Sequence, residues 1–271
     1  MYSQCQGINR FQKKHLRLPL PSRHSPQEIV DLIIDRLSDC TWTLRACSLV
    51  AKSWVNRSRV YLFRRVILFD HRRWQKVVPI GNSSPAVYVR TLHLVQFDLE
   101  ARWINPDDLD SFLSLLRDFK NVEKLILDGS ASYQFSEDEL KEYFGPLGGK
   151  LRSLDLAGAL TSDSLLCFLG IFTNLENLSI RGCIGVEVTI RVPTVSPKLS
   201  GRLMIGCEWC LTPLLKTLCK LPLRFQKISL DYCYWGYQEL IDTCAETLVD
   251  FQVMSWDFCM YSLIRRLRLS I

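Results

Sequence analysis

Leu151-Arg-Ser-Leu154-Asp-Leu156 is the stretch whose reading decides the fold. Leu154 and Leu156 stand two apart, so an extended chain puts both on one side and Ser153 and Asp155 on the other. Leu151 completes a pattern L-x-x-L-x-L. Working outward with conservative apolar exchange, the pattern recurs at Val122/Leu125/Leu127, Val89/Leu92/Leu94 and Leu175/Leu178/Ile180. It opens at Phe63/Val66/Leu68 and continues less regularly through Leu203/Ile205, Phe225/Ile228/Leu230 and Leu248/Phe251/Val253. The middle positions are 66, 92, 125, 154, 178, 203, 228 and 251, spaced by 26, 33, 29, 24, 25, 25 and 23 residues. One supersecondary unit is being repeated.

Between the strands the apolar period becomes helical. Asn105-Pro106 opens a helix with Leu109, Phe112, Leu113 and Leu116, asparagine as cap and proline in the first turn. Ser136 to Glu139 reads as a capping box ahead of Leu140, Tyr143 and Phe144. Thr212-Pro213 opens another helix with Leu214, Leu215 and Leu218, and Gly236 to Leu248 a further one with Leu240, Ile241 and Ala245. Units this short cannot bury their apolar faces singly, but stacked they share a core between strands and helices. Residues 185–197 alternate at period two, so that unit is expected to lack its helix. Ile264 to Leu269 reads as a ninth strand.

These spacings, with Cys183 and Cys233 three places after their strands' last apolar residue, resemble leucine-rich repeats. The resemblance implies an α/β solenoid, curved, with a parallel sheet on its concave side. Residues flanking the two core positions would point to that concave face. They are His93, Lys124, Asp128, Asp155, Asn177, Ser179, Arg181, Arg202, Met204, Lys227, Asp231, Asp250, Gln252 and Met254. The set mixes both charge signs with few aromatics. It suits either a target-binding face or a merely solvated one.

Upstream, Gln27 to Leu37 places Ile29, Val30, Ile33, Ile34 and Leu37 on one helical arc, with Glu28, Asp31 and Asp35 opposite. Thr41 to Ala51 is apolar over about twice the arc a surface helix needs, with Trp42, Leu44, Ala46, Cys47, Leu49 and Val50. A third helix starts near Ala51 and is expected to carry Trp54 and Leu62 into the junction with the repeats. Three helices in about 40 residues are near the lower limit for an independent core. Part of their apolar surface therefore rests on the repeats or meets another body.

Pro26-Gln-Glu28-Ile29, Leu32-Ile33, Leu37, Leu44, Cys47-Ser-Leu49-Val50 and Trp54 together resemble an F-box, the three-helix motif that docks on the Skp adaptor of cullin–RING ubiquitin ligases. The resemblance implies adaptor contacts from Pro26, Glu28, Ile29, Ile33, Leu37, Leu44, Cys47, Leu49, Val50 and Trp54. It divides the chain into a flexible basic arm (1–24), a short F-box (25–64) and a leucine-rich-repeat domain (65–271). The implied function is the substrate-recognition subunit of a ubiquitin ligase, holding a protein target near an enzyme recruited through the adaptor and a cullin. The alternatives are a repeat scaffold with no degradation role, and an ordinary helical cap on the repeats.

Composition narrows the classes further. The chain has 271 residues, 48% hydrophobic and 23% charged, as a globular protein does. Residues 1–20 hold four basic side chains and no apolar run of signal-peptide kind. The run Leu165 to Phe172 is too short to span a bilayer. Eleven scattered cysteines without a secretory signal read as reduced thiols in a cytosolic or nuclear protein, with no membrane partner expected. A net charge of +6 is modest, and no nucleic-acid partner is expected from it.

Site chemistry is sparse. Cys207-Glu-Trp-Cys210 has zinc spacing, but no second pair follows and no histidine occurs after His93. Gly145-Pro-Leu-Gly-Gly149-Lys150 is one residue short of a phosphate loop, and Leu151 stands where Ser or Thr is needed. His15, His24, His71 and His93 have no nucleophile or carboxylate at catalytic spacing. Neither catalysis nor a cofactor is expected.

Overall fold

The fold follows from the alternation seen at Leu154 and Leu156. In the computed structural model the described residues are 27–69, 84–95, 116–128, 137–158, 162–181, 198–206, 215–216, 218–231, 237–254 and 265–267. The strands are β1 (Arg65–Leu68), β2 (Thr91–Val95), β3 (Lys124–Asp128), β4 (Ser153–Ala157), β5 (Asn174–Arg181), β6 (Lys198–Gly206), β7 (Leu223–Asp231), β8 (Asp250–Met254) and β9 (Arg265–Leu267). They form one sheet whose spatial order is the order of the sequence. The first eight are parallel.

All eight middle positions read from the sequence lie in a single rank across the strands. Val66 pairs Leu92, and the rank continues through Leu125, Leu154, Leu178, Leu203 and Ile228 to Phe251. All eight are buried. Helices α1 (Gln27–Arg36), α2 (Thr41–Val50) and α3 (Lys52–Leu62) precede the sheet. Between strands lie α4 (Glu137–Phe144), α5 (Ser162–Ile171) and α6 (Gln238–Thr243). Their apolar residues join the leucine ranks in one core, so the described helices cover one face of the sheet and, among the described residues, the other is left open. Phe168 of α5 meets Phe144 of α4 and Phe172 edge to face, at 4.9 and 5.0 Å between ring centroids. Leu154 is fully buried within this core. Leu154→Ala should cost about 2–5 kcal/mol in chemical denaturation; an unchanged midpoint would contradict the stacked core.

Four consecutive units, those of β2 to β5, are set in register in the same way. The Arg64 carbonyl accepts from Arg90 and Thr91 N–H, that of Arg90 from Glu123 and Lys124, that of Glu123 from Arg152 and Ser153, and that of Arg152 from Glu176 and Asn177. One oxygen satisfying two donors fixes the phase of these four strands. Over this ladder run two exposed ion pairs, Arg90–Glu123 at 3.0 Å and Arg152–Glu176 at 2.9 Å. Exposed pairs of this kind add little stability.

Three departures from the sequence reading have physical causes. β9 is antiparallel to β8, with Phe251 opposite Leu267, rather than a further parallel repeat. Its connector, residues 255–264, falls short of the dozen or so that a parallel crossover needs. Against β5 the irregular sixth strand carries one extra residue, absorbed by a bulge at Ser200 and Gly201, where the Gly201 φ is +75°, and β7 carries a further one, Gln226, against β6. Leu199 thereby takes the place that Ser200 would otherwise occupy, pairing Leu175 and Leu223. Third, the run Leu165 to Phe172 contributes most of a helix that the sequence reading did not assign. Leu165, Leu166, Phe168 and Leu169 are all buried, so no polar stripe announces it.

Several expectations lie outside the described residues: the arm 1–24, Pro26, the caps at Asn105, Ser136 and Thr212, Cys183, Cys233, the pair Cys207 and Cys210, and the stretch 185–197. Leu116, Leu215 and Leu218, expected on the helical faces, are buried. In the glycine-rich turn before β4, a Cβ on Gly148 would stand 2.6 Å from the Ile171 carbonyl oxygen. Close packing on the end of α5 accounts for that glycine. Among the described residues no helix is long and apolar enough to cross a membrane.

Candidate docking surfaces

Two surfaces stand out, and the first is built by α1–α3. Along α1 the apolar residues divide between two sides. Val30 and Ile34, four apart, point inward with Leu44 of α2, and Leu37, Trp54, Tyr61 and Leu62 pack around them. Ile29, Leu32 and Ile33 share the outer side and are 49%, 63% and 44% exposed. On α2, Trp42, Leu49 and Val50 fall on one helical face and are 79%, 87% and 66% exposed. Six large apolar side chains on two short consecutive helices are more than scattered surface residues account for.

An ion-pair clamp sets the angle between α1 and α3. Arg57 donates twice to Asp35, at 2.6 Å from both Nε and one terminal nitrogen, and the Tyr61 hydroxyl donates to the same carboxylate at 2.9 Å. The Arg57 guanidinium bonded to Asp35 holds that carboxyl below the usual carboxylate range. A depressed folded pKa stabilises above the ordinary value, here 3.8, and that contribution is lost as pH falls through the folded value. Asp35→Asn should therefore melt below wild type near neutral pH, the gap closing in acid. Melting curves recorded down to about pH 2.5 check this; a gap that persisted there would exclude the ion pair as its source.

The expected adaptor residues separate on this unit. Glu28, Ile29, Ile33, Leu49 and Val50 are exposed. Leu44 is fully buried in the inner cluster and Cys47 is 7% exposed. An α2 apolar over most of its circumference has to fill the inner core first, and these two lie on its inward side. Leu37 and Trp54 are partly buried against the same core. Trp54 and Leu62 thus serve the three-helix core rather than the junction with the repeats, which α3 makes by lying on the 3-10 turn Pro85–Tyr88. Leu32 and Trp42, not among the expected adaptor residues, are also exposed on the outer faces. Leu32 stands in the motif itself, and Trp42 could be found from its place on the wheel.

The second surface is the open face of the sheet. Register puts the expected residues in three ranks. Lys124, Asn177, Arg202, Lys227 and Asp250 lie in the leading one, His93, Asp155, Ser179, Met204 and Gln252 in the middle, and Asp128, Arg181, Asp231 and Met254 in the trailing one. Arg65, Thr91 and Ser153 join the leading rank and Ile67, Ile126 and Ser229 the middle one, which the sequence reading did not include. Ile126 was passed over because in a run Leu-Ile-Leu it reads as core; it is 7% exposed yet faces away from the helices.

Electrostatics on this face are uneven. Arg181 bonds Asp155 at 3.0 Å. His93 Nε2 is 3.7 Å from Asp128, too long for a hydrogen bond, and burial lowers its pKa, keeping the ring neutral at physiological pH. Asp231 has one carboxylate oxygen buried without a partner, and burial raises its pKa. Beside it a Cβ on Gly206 would stand 3.5 Å from the other carboxylate oxygen. None of these groups forms a nucleophile–base pair.

The fold defines an α/β chain whose parallel strands repeat one unit, as in a repeat domain. No protein-family model matches the chain, and no curated protein matches it. Among solved structures it is similar to the crystal structure of a Bacteroides fragilis protein from a structural-genomics programme. That match has 11% identity, covers 71% of this chain and 51% of the other, and has a TM-score of 0.33. The chain spans about half the length of that structure.

Proposed function

We propose that the chain is the substrate-recognition subunit of a cullin–RING ubiquitin ligase. In this reading α1–α3 are an F-box and the sheet with its helices a leucine-rich-repeat solenoid. The F-box docks the Skp adaptor, and the open face of the sheet holds a protein target. The observation that carries the reading is the pair of outer faces on α1 and α2, where six large apolar side chains stay exposed while Val30, Ile34 and Leu44 close the inner core. The resemblance of Pro26 to Trp54 to the F-box gives that surface its partner. No bond chemistry is required of the chain. Its work is to raise the effective concentration of a target lysine beside the ubiquitin-carrying enzyme.

The test is recovery of partners by the tagged full chain. Both the Skp adaptor and a cullin are expected. Recovery of neither would remove the assignment. Adaptor without cullin would favour an interaction scaffold with no degradation role, for which the same two surfaces suffice.

A further inference from the structure

The three ranks of the open face differ in sign. From β1 to β7 the leading rank holds no acid; Arg65, Lys124, Arg202 and Lys227 are its cations. Thr91, Ser153 and Asn177 fill the positions between and add hydrogen-bonding groups. Among the described residues none of the four cations makes an ion pair or a side-chain hydrogen bond. The residues one place before the leading rank behave differently, neutralising one another as Arg90–Glu123 and Arg152–Glu176. Arg202 and Lys227 are register partners on β6 and β7, two like-charged residues side by side on strands whose backbones run about 4.8 Å apart. Such an arrangement costs the free protein repulsion that an anionic partner would relieve.

The trailing rank has the opposite bias, with Asp128 and Asp231, while its Arg181 is turned to Asp155. Leading and trailing ranks are four residues apart, about 13 Å, enough for one extended chain with side chains to either side. Seven strands span about 29 Å across the sheet. The middle rank, from Ile67 to Gln252, contains no Phe, Tyr or Trp on which bases could stack. Asp128, Asp155 and Asp231 would repel a polymer charged along both sides. These features select a peptide over a nucleic acid.

We infer that the open face binds an extended acidic segment of a target protein, laid across the strands with its carboxylates on the leading rank. The inference rests on the reading of that face as the target face. Purified full chain is titrated into a fluorescein-labelled peptide of about twelve residues alternating Glu and Ser, and separately into a single-stranded oligonucleotide of equal length, with anisotropy as readout. The peptide should bind in a salt-sensitive way, and more tightly than the oligonucleotide. Arg202→Glu with Lys227→Glu should weaken it at least about tenfold. Lys198→Glu with Arg224→Glu, an equal charge change on exposed residues of the same two strands but off the rank, should leave it within about twofold. Thermal melts confirm that both variants stay folded. Equal loss in the two variants, no peptide binding, or tighter oligonucleotide binding would each overturn the inference. Adaptor capture plays no part in the titration, so its failure and the failure of the ligase reading are told apart.

Discussion

A chain carrying Ile29→Asp and Ile33→Asp should keep its fold and lose the Skp adaptor. Both side chains are about half exposed on the outer side of α1, and neither belongs to the inner cluster of Val30, Ile34 and Leu44. In the free protein the new carboxylates meet water. In an apolar interface each would be desolvated without a partner, a penalty of several kcal/mol. Two apolar anchors lost together should weaken binding by about 3 kcal/mol or more, over a hundredfold. Leu49→Asp, at 87% exposure on α2, should act the same way. Leu44→Asp provides the contrast: its side chain is fully buried, so binding should be lost together with helical signal and the melting transition of the three-helix unit. A folded double variant that binds the adaptor as wild type does would remove α1 from the interface.

The largest stability effect from one added methyl is expected at Gly201. Its φ of +75° lies in the left-handed region, which costs an alanine about 1–2 kcal/mol. A Cβ there would also stand 2.2 Å from the Glu176 carbonyl oxygen, backbone that cannot swing aside. Overlap of this kind adds about 1–3 kcal/mol. Gly201→Ala should therefore lose roughly 2–5 kcal/mol in urea denaturation. Gly145→Ala and Gly149→Ala, which meet nothing within 4 Å, should stay within about 0.5 kcal/mol of wild type. Equal midpoints for all three would mean that β6 carries no bulge at this glycine.

Most of the sheet was legible because its signal is local and repeated. Leu92, Leu125, Leu154 and Leu178 need only a period of two inside a strand and a fixed distance between strands. Residues such as Leu165 to Phe172 were not legible as a helix, since even their less buried side, with Cys167, Gly170 and Ile171, carries no polar stripe to set the phase. The direction of β9 depends on connector length rather than on the pattern at Leu267. On α1 and α2, composition revealed an excess of apolar surface but not its division. Leu44 and Trp42 sit two residues apart in one helix; only the position of α3 makes the first internal and the second exposed. The charge ranks of the open face follow from register, so each Lys or Arg could be placed on the face but not beside its neighbours until the pairing was known.

The antiparallel ninth strand bears on whether the sheet can grow. Eight in-phase parallel strands would otherwise end at β8 in a free row of backbone donors and acceptors, a template for another chain. β9 occupies that row with reversed polarity. Among the described residues β9 is the last strand of the sheet, three residues long, and its sequence, Arg265-Arg-Leu267, carries two positive charges. An incoming strand would find few hydrogen bonds to make and like charge to overcome if it were basic itself. The row that β8 would leave free is thereby filled from within the same chain, and head-to-tail pairing of a second copy on β8 is blocked.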